Sequence, residues 1–202
     1  DQLPVPVLTV FGNVDYIVGA EDTFDRSSKR FENENKWKWA NQDFLSPYLK
    51  KCDNIRRIDY RPIKIGDYVF VGMNGHSFPG NVESKTFKKS KKKLDKIFRK
   101  YKKENNVSKV IFISHNIANK TLDKITSKKA DKLVRNKHFG SFLARQIIDK
   151  YHPILHVGGH IHEGRGYKKF GKTLVLNPGS IHDGQMAVVE LLNKKIKIKF
   201  IN

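Results

Sequence analysis

The sequence predicts an α/β protein in which helices lie outside a sandwich of two mixed sheets. Three observations lead to this prediction. Strand-like runs alternate with helical segments early in the chain, which indicates parallel crossovers. The chain closes with strand-like runs joined by short turns, which indicate antiparallel hairpins. Its 202 residues, 38% of them hydrophobic, are enough for one domain with a substantial core.

The charge of the chain bears on its partners. Lysine and arginine number 40 against 20 acidic residues, a net charge of +20. Such an excess favours phosphates, nucleic acid or anionic surfaces. The single cysteine, Cys52, excludes an internal disulfide and is typical of a reducing compartment, so we expect a cytoplasmic protein. No apolar run approaches the roughly 20 residues of a membrane span, so no membrane association is expected.

The amino-terminal part of the chain opens with a strand. Residues 5–11 are apolar and β-branched and stop at Gly12-Asn13, which indicates a buried strand ending in a turn. Residues 21–41 are charged and polar. We interpret them as an excursion, either a long loop or a small cap, from one domain that covers residues 1–202.

The next elements are a short helix, a hairpin and a long helix. Residues 43–51 fit the short helix, and residues 58–65 and 68–72 are strand-like, with Gly66-Asp67 as a hairpin turn between them. Residues 85–103 contain 11 basic residues and one acidic residue, with apolar side chains at helical spacing. The lysine-rich face has two interpretations, a solvated surface or a face that follows the phosphates of a polyanion.

The second half of the chain alternates between strands and one helix. Residues 141–151 have helical periodicity, and the lysines at 195, 197 and 199 are typical of a strand at a sheet edge. Strands are predicted at residues 107–114, 153–157, 173–176, 186–192 and 196–201.

Three of the predicted strands end in side chains that can bind metals. Asn13 follows the first, His115 follows the strand at 107–114, and His160 and His162 follow the strand at 153–157. The carboxyl ends of parallel strands meet at one edge of a sheet, and residues i and i+2 of an extended chain project the same way. Imidazole and amide ligands suit Zn, Mn, Fe, Co or Ni. Taken singly, such residues are more often satisfied polar groups or turns.

Taken together in chain order, these residues carry a family resemblance. The set consists of Gly12-Asn13-Val14-Asp15, Ser114-His115-Asn116, Gly159-His160-Ile161-His162 and Asn177-Pro178-Gly179. It resembles the calcineurin-like metallophosphoesterase superfamily. Residues 63–192 are most similar to a prokaryotic and archaeal branch of predicted phosphoesterases, also through the Lys-His-Phe-Gly-Ser and Gly-His-Ile-His-Glu-Gly-Arg-Gly sequences. The resemblance implies a four-layer αββα sandwich.

The resemblance also implies roles for individual residues. Asn13, His115 and His160 correspond to ligands of the second metal, and His162 corresponds to a ligand of the first. The implied cofactors are two divalent transition metals, drawn from Mn, Fe, Zn, Ni and Co. In such families the two metals bridge a hydroxide that attacks phosphorus in line.

This sequence departs from the family pattern in two ways. Many members have a histidine at the position of Val14, and that histidine protonates the leaving group. The family's Asp-x-His and Gly-Asp motifs, which supply acidic ligands, do not precede residue 5. We therefore expect the first strand-helix-strand unit and its ligands to lie elsewhere, in a longer gene product or in a companion polypeptide.

Residues around these ligands are candidates for the reaction itself. We assign catalysis to His115 and to Asp15, although Asp15 fits a turn cap equally well. Arg165 either clamps a phosphate with its fork of donors or faces water. His138 either lines the rim of the site or caps the following helix. The predicted substrate-binding residues are Gly12, Asn116, His138 and Arg165.

These residues give three functional hypotheses. The leading one is a metal-dependent phosphoesterase, acting on a diester such as a nucleotide or nucleic acid. The second is a catalytically impaired scaffold with the same fold, which Val14 favours. The third is a nucleic-acid-binding module that uses residues 85–103 with Trp37, Trp39 and Tyr101 as stacking partners. An oligomer is compatible with all three.

Overall fold

The computed structural model describes residues 5–12, 46–75, 85–128, 130–192 and 195–202. Within these ranges it contains ten strands, three α-helices and three short 3₁₀ helices. The mixed α/β fold class predicted from the sequence is confirmed, with several sheets flanked by helices. In the same ranges no helix combines the length and apolarity needed to cross a bilayer.

A sheet of six strands forms the centre of the molecule. Its inner strands run parallel, and an antiparallel strand closes each edge. The strands are β3 (Pro62–Ile65), β4 (Tyr68–Met73), β5 (Val110–Asn116), β6 (Leu155–Gly159), β7 (Gly166–Phe170) and β8 (Thr173–Asn177). Their spatial order is β3-β4-β5-β6-β8-β7.

Both edges of this sheet are hairpins. The turn between β3 and β4 has Gly66 at φ 56°, the left-handed conformation that glycine adopts without strain, so the predicted hairpin is confirmed. The hairpin of β7 and β8 was not predicted from the sequence. Strand β7 is polar and its central residues are exposed, so it carries none of the apolar alternation by which strands are recognised.

Two helices cover one face of the sheet. They are α2 (Lys85–Lys103) and α3 (Phe142–Tyr151), and α2 has the bounds that its periodicity predicts. The core beneath them includes Phe98, whose ring packs edge-on against Phe112 and stacks with Tyr151. The helical periodicity of residues 141–151 predicts that Phe142, Leu143, Ile147 and Ile148 all point inward. Leu143, Ile147 and Ile148 do so, whereas Phe142, in the first turn of the helix, is 39% exposed.

The opposite face of the sheet packs against a two-stranded antiparallel sheet. Its strands are β9 (Met186–Leu192) and β10 (Lys195–Ile201), and both alternate between exposed and half-buried residues. Ile196, Ile198 and Phe200 lie against the sheet, while the intervening lysines face outward. This confirms the predicted hairpin. Within the described ranges the layers are helices, six-stranded sheet and two-stranded sheet.

The amino-terminal segment lies beside the β3–β4 edge of the central sheet. Strand β1 (Val7–Thr9) pairs in parallel with β2 (Ile55–Arg57), and Phe11 beyond β1 accepts a hydrogen bond from the backbone of Gly75 at 2.6 Å. Helix α1 (Ser46–Leu49) is shorter than the 43–51 expected, with residues 43–45 outside the described ranges. The excursion at 21–41, with Trp37 and Trp39, also lies outside them.

Candidate metal centre

The carboxyl ends of β5 and β6 lie side by side. Asn116 at the end of β5 is in register with Gly159 at the end of β6, after an irregularity in the ladder that follows Ile113. The backbone of Ile117 donates to the carbonyl of Gly159 at 3.2 Å, so the pairing continues past both strands. This adjacency brings the residues that flank the two strand ends to one place.

His115 and His160 form a pair at this edge. Nε2 of His115 lies 3.0 Å from Nδ1 of His160, and the two ring centroids are 4.9 Å apart with the planes at 62°. His160 has φ 71°, a left-handed conformation that is uncommon for residues other than glycine, although histidine, asparagine and aspartate adopt it more often than the rest. A residue held in such a conformation by its surroundings often has a functional role.

The pair has the spacing of two ligands on one ion. Imidazole nitrogens bind zinc at about 2.1 Å, so two of them lie about 3.4 Å apart at the tetrahedral angle that zinc prefers and about 3.0 Å apart at the right angle of an octahedral ion. An N–H···N hydrogen bond between neutral rings has a similar length. Within the part of the chain that the structure describes, no three His, Cys, Asp or Glu side chains group together to hold a metal.

Gly75 shapes the space beside His115. A Cβ atom on Gly75 would lie 2.4 Å from Cδ2 of the His115 ring, closer than any real contact. The same residue holds the end of β1 through its bond to Phe11, and Gly12 follows there as a buried residue. The predicted positions Asn13, Val14 and Asp15 lie outside the described residues.

The structure places the His162 side chain differently from the sequence prediction. The expectation that His160 and His162 project the same way assumed extended backbone and is wrong, because His160 is left-handed and His162 begins a 3₁₀ helix. The His162 side chain is 59% exposed, with Nδ1 3.9 Å from a carboxylate oxygen of Asp183. Its role as a ligand stays a prediction that needs this exposed loop to turn inward.

Two predicted substrate-binding residues have partners within the protein. Asn116 is fully buried, and its carbonyl accepts a hydrogen bond from the Ser114 hydroxyl at 2.6 Å. Arg165 directs its guanidinium to the end of the chain, where it donates to the carbonyl of Ile201 at 3.0 Å and lies over the ring of Phe200. One guanidinium nitrogen of Arg165 thus serves the β10 strand, and the phosphate contacts of Asn116 and Arg165 stay predictions.

His138 belongs to a cluster that the sequence did not reveal. Its Nδ1 lies 2.7 Å from the carboxylate of Asp123, and the His138 side chain is 39% exposed whereas that of Asp123 is fully buried. The cap of helix α3 is Ser141, whose hydroxyl accepts from the backbone of Ala144, so His138 is not the cap. Asp123 lies in a polar, lysine-rich segment with no periodicity, and only its burial distinguishes it.

The comparison with family models decides the family. Residues 42–201 match a model described as metallophosphoesterase, calcineurin superfamily. The chain belongs to this family. The match covers most of the chain and includes both His115 and His160, and it begins after Asn13, Val14 and Asp15. The match confirms the family resemblance that the motifs indicate. It also shows that the chain has a phosphoesterase-type scaffold.

Solved structures were compared with the chain as well. One crystal structure has the same fold, with a TM-score of 0.55 and 21% identity, covering 77% of this chain and 58% of the other. The crystal structure of TT1561 of Thermus thermophilus aligns with a TM-score of 0.48 and 15% identity, covering 80% and 66%. The chain thus spans little more than half of the first of these. No curated protein matches the chain.

Proposed function

We propose that the protein is a metal-dependent phosphodiesterase whose active site contains the His115–His160 pair. The observation that supports this most is the 3.0 Å separation of the two ring nitrogens at the carboxyl edge of the central sheet. This edge is where ligands bind in open α/β sheets. Membership of the metallophosphoesterase family supports hydrolysis of phosphoric esters in general.

The proposed cofactors are two divalent transition metals from the group Mn, Fe, Zn, Ni and Co. When bound, such ions polarise phosphoryl oxygens and make water nucleophilic at neutral pH. His115 and His160 would hold one ion together with Asn13, and His162 would join the other, with Asp15 orienting a group nearby. Carboxylate ligands would come from residues outside the described ranges or from a companion polypeptide, because the described residues place none beside the pair.

The proposed substrate is a polyanionic diester, a nucleotide or a nucleic acid, in the cytoplasm. A cleft of about 1120 Å³ lies between the segment of α1 and β2 and helix α2, and cations outnumber acids along it. Within this cleft, Nε of Arg57 forms an ion pair with a carboxylate oxygen of Asp59 at 2.6 Å. The cations in this cleft are Lys50, Arg56, Arg57, Arg61, Lys93 and Lys96, and the acids are Asp53 and Asp59.

Hydrolysis of a chromogenic diester tests the proposed activity. The metal-free protein is loaded in turn with Mn, Ni, Zn, Co or Mg and assayed with bis(p-nitrophenyl) phosphate. We expect hydrolysis with at least one transition metal and its loss in His115→Ala and in His160→Ala. His152→Asn is the control, because His152 is exposed at the far end of α3 in a left-handed conformation that asparagine tolerates.

Two results would contradict the proposal. One is the absence of hydrolysis with every metal in a folded protein that also retains no metal. The other is full activity in both histidine variants, which would show that the protein is a diesterase but that its active site lies elsewhere.

The second candidate function is nucleic-acid binding without catalysis, and the basic helix α2 favours it. The triple variant Lys92, Lys96 and Lys103→Gln removes three exposed cations from α2. Each phosphate contact contributes about 0.7 to the salt slope of single-strand binding, so we expect the slope to fall by about two. The control removes three exposed cations from β10, at Lys195, Lys197 and Lys199. Equal slopes in both variants would show that net charge alone drives binding.

A further inference from the structure

The Asp123 carboxylate is the most heavily hydrogen-bonded side chain of the loop that follows β5. Its Oδ2 accepts from Nδ2 of Asn119 at 3.3 Å and from the backbone of Lys120 at 3.0 Å and Gly140 at 2.8 Å. Its Oδ1 accepts from the backbone of Thr121 at 3.0 Å and from Nδ1 of His138 at 2.7 Å. Five donors thus converge on one fully buried carboxylate.

This arrangement fixes the tautomer and the direction of the His138 ring. An acceptor that already receives four other donors requires the proton on Nδ1 of His138, which leaves Nε2 as the free end of the ring. Among the described residues Nε2 makes no hydrogen bond, and 39% of the side chain is exposed. A histidine oriented by a buried carboxylate, with its other nitrogen toward solvent, has the arrangement of a general acid or base.

The cluster lies at the same edge of the sheet as the histidine pair. The backbone of Ser141 donates to Ile117 at 2.7 Å, two residues after His115, and Ile117 in turn donates to Gly159, the residue before His160. The side chain of Asn177 at the end of β8 donates to Ile161 at 2.8 Å and reaches Leu122 in the Asp123 loop at 3.5 Å. The loops after β5, β6 and β8 therefore form one continuous rim.

We propose that His138 is the proton donor to the leaving group and that Asp123 is its positioning residue. This inference rests on the proposed phosphodiesterase function. A hydroxide derived from water forms a bond to phosphorus while the bond from phosphorus to the leaving oxygen breaks. The electron pair of that bond goes to the leaving oxygen, which takes the proton from Nε2 of His138 in its imidazolium form, and the ring is left neutral with its remaining proton on Nδ1 toward Asp123. The products are a phosphomonoester and an alcohol, and solvent returns a proton to the neutral ring.

The valine at residue 14 of the sequence leaves a role for a proton donor of this kind. A valine cannot transfer a proton, and an alkoxide leaves phosphorus with difficulty unless it is protonated. The exposed end of His138 supplies an imidazole, a side chain that transfers protons as a general acid or base. Its neighbour across the local backbone bridge is Lys124, an exposed cation on the same loop.

Two variants of His138 separate proton donation from a structural role. His138→Asn places an amide nitrogen where Nδ1 lies, so it keeps the bond to Asp123 and deletes Nε2. His138→Gln places the amide near Nε2 and gives up the bond to Asp123. Each is assayed with thymidine 5′-p-nitrophenyl phosphate, whose nitrophenolate leaves without help, and with thymidylyl-thymidine, whose leaving oxygen needs a proton.

We expect both variants to lose about 100-fold or more in kcat on thymidylyl-thymidine, the usual contribution of a general acid, and to change little on the nitrophenyl ester. The result that would overturn the inference is a His138→Asn protein with the wild-type ratio of the two rates. If the wild-type protein hydrolyses neither ester with any metal, the proposed function fails instead, so the two failures are distinct.

A measurement without turnover tests the orientation of the ring. Long-range ¹⁵N NMR spectra of the labelled protein are expected to show neutral His138 with its proton on Nδ1, and to lose this preference in Asp123→Asn. Thermal unfolding of each variant checks that the loop remains folded. A proton on Nε2 in the wild-type protein would overturn the assignment of Asp123 as the positioning residue.

Discussion

The buried side chain of His156 predicts a pH dependence of stability. His156 lies in β6 and is fully buried, and its Nδ1 donates to the carbonyl of Phe112 at 3.2 Å. Its Nε2 has no hydrogen-bond partner among the described residues, and its ring lies 5.1 Å from that of Phe112. Burial lowers the pKa of His156 from 6.5 to about 3, with the Phe112 carbonyl opposing this in part.

Between pH 6.5 and about 3, the folded state therefore keeps His156 neutral, whereas the unfolded state binds a proton at this side chain. Stability is therefore highest above pH 6.5 and falls as the pH decreases from 6.5 toward 3. For a pKa of 6.5 unfolded and about 3 folded, the loss between pH 8 and pH 5 is about 2 kcal/mol. This is a large share of the total stability of about 5–15 kcal/mol that is typical of a domain.

Urea unfolding of the wild-type protein and of His156→Phe at pH 8 and pH 5 measures this effect. Phenylalanine fills a similar volume against Phe112 and does not titrate, so the other ionisable groups cancel in the difference. We expect the variant to gain about 2 kcal/mol relative to the wild type on going from pH 8 to pH 5. His152→Asn, which replaces an exposed histidine, is the control. A constant difference between wild type and His156→Phe at both pH values would refute the reasoning.

Two further predictions concern the site and the helix that supports it. Gly75→Ala places a methyl group 2.4 Å from the His115 ring, so we expect weaker metal binding and lower diesterase activity, measured by metal titration and by turnover; unchanged values would show that the ring moves freely. Ser141→Ala removes a buried hydroxyl that accepts from Ala144 at the start of α3, and we expect a loss of about 1 kcal/mol in chemical denaturation. An unchanged denaturation midpoint would contradict the role of Ser141 as the cap.

Regular elements with a strong pattern were predictable from the sequence. Helix α2 matches its predicted range because Phe87, Leu94 and Phe98 recur at helical spacing and all three are buried. The β9–β10 hairpin was predictable because its apolar residues alternate with lysines in the last strand and because a short polar turn separates two strands of seven residues. The local periodicity of apolar residues indicates such elements without knowledge of the tertiary contacts.

The candidate site was only partly predictable, since its geometry depends on contacts between distant segments. The sequence order of strand ends located His115 and His160, because parallel strands bring such residues together. The left-handed backbone at His160 breaks the expected alignment with His162, and the residue type indicates it only weakly, since histidine adopts this conformation more often than most residues but still rarely. Asp123 was missed because the five donors that define its role come from segments up to 17 residues away.

Metal coordination by the histidine pair is the central claim, and X-ray absorption at the zinc edge tests it most directly. The zinc-loaded wild-type protein is compared with the double variant His115→Ala and His160→Ala. The 3.0 Å separation of the two ring nitrogens predicts imidazole nitrogens in the first coordination shell of the wild type. We expect the double variant to lose this contribution together with its bound zinc. A double variant with the same zinc content and the same imidazole signal would contradict the claim, since the ion would then lie at another site.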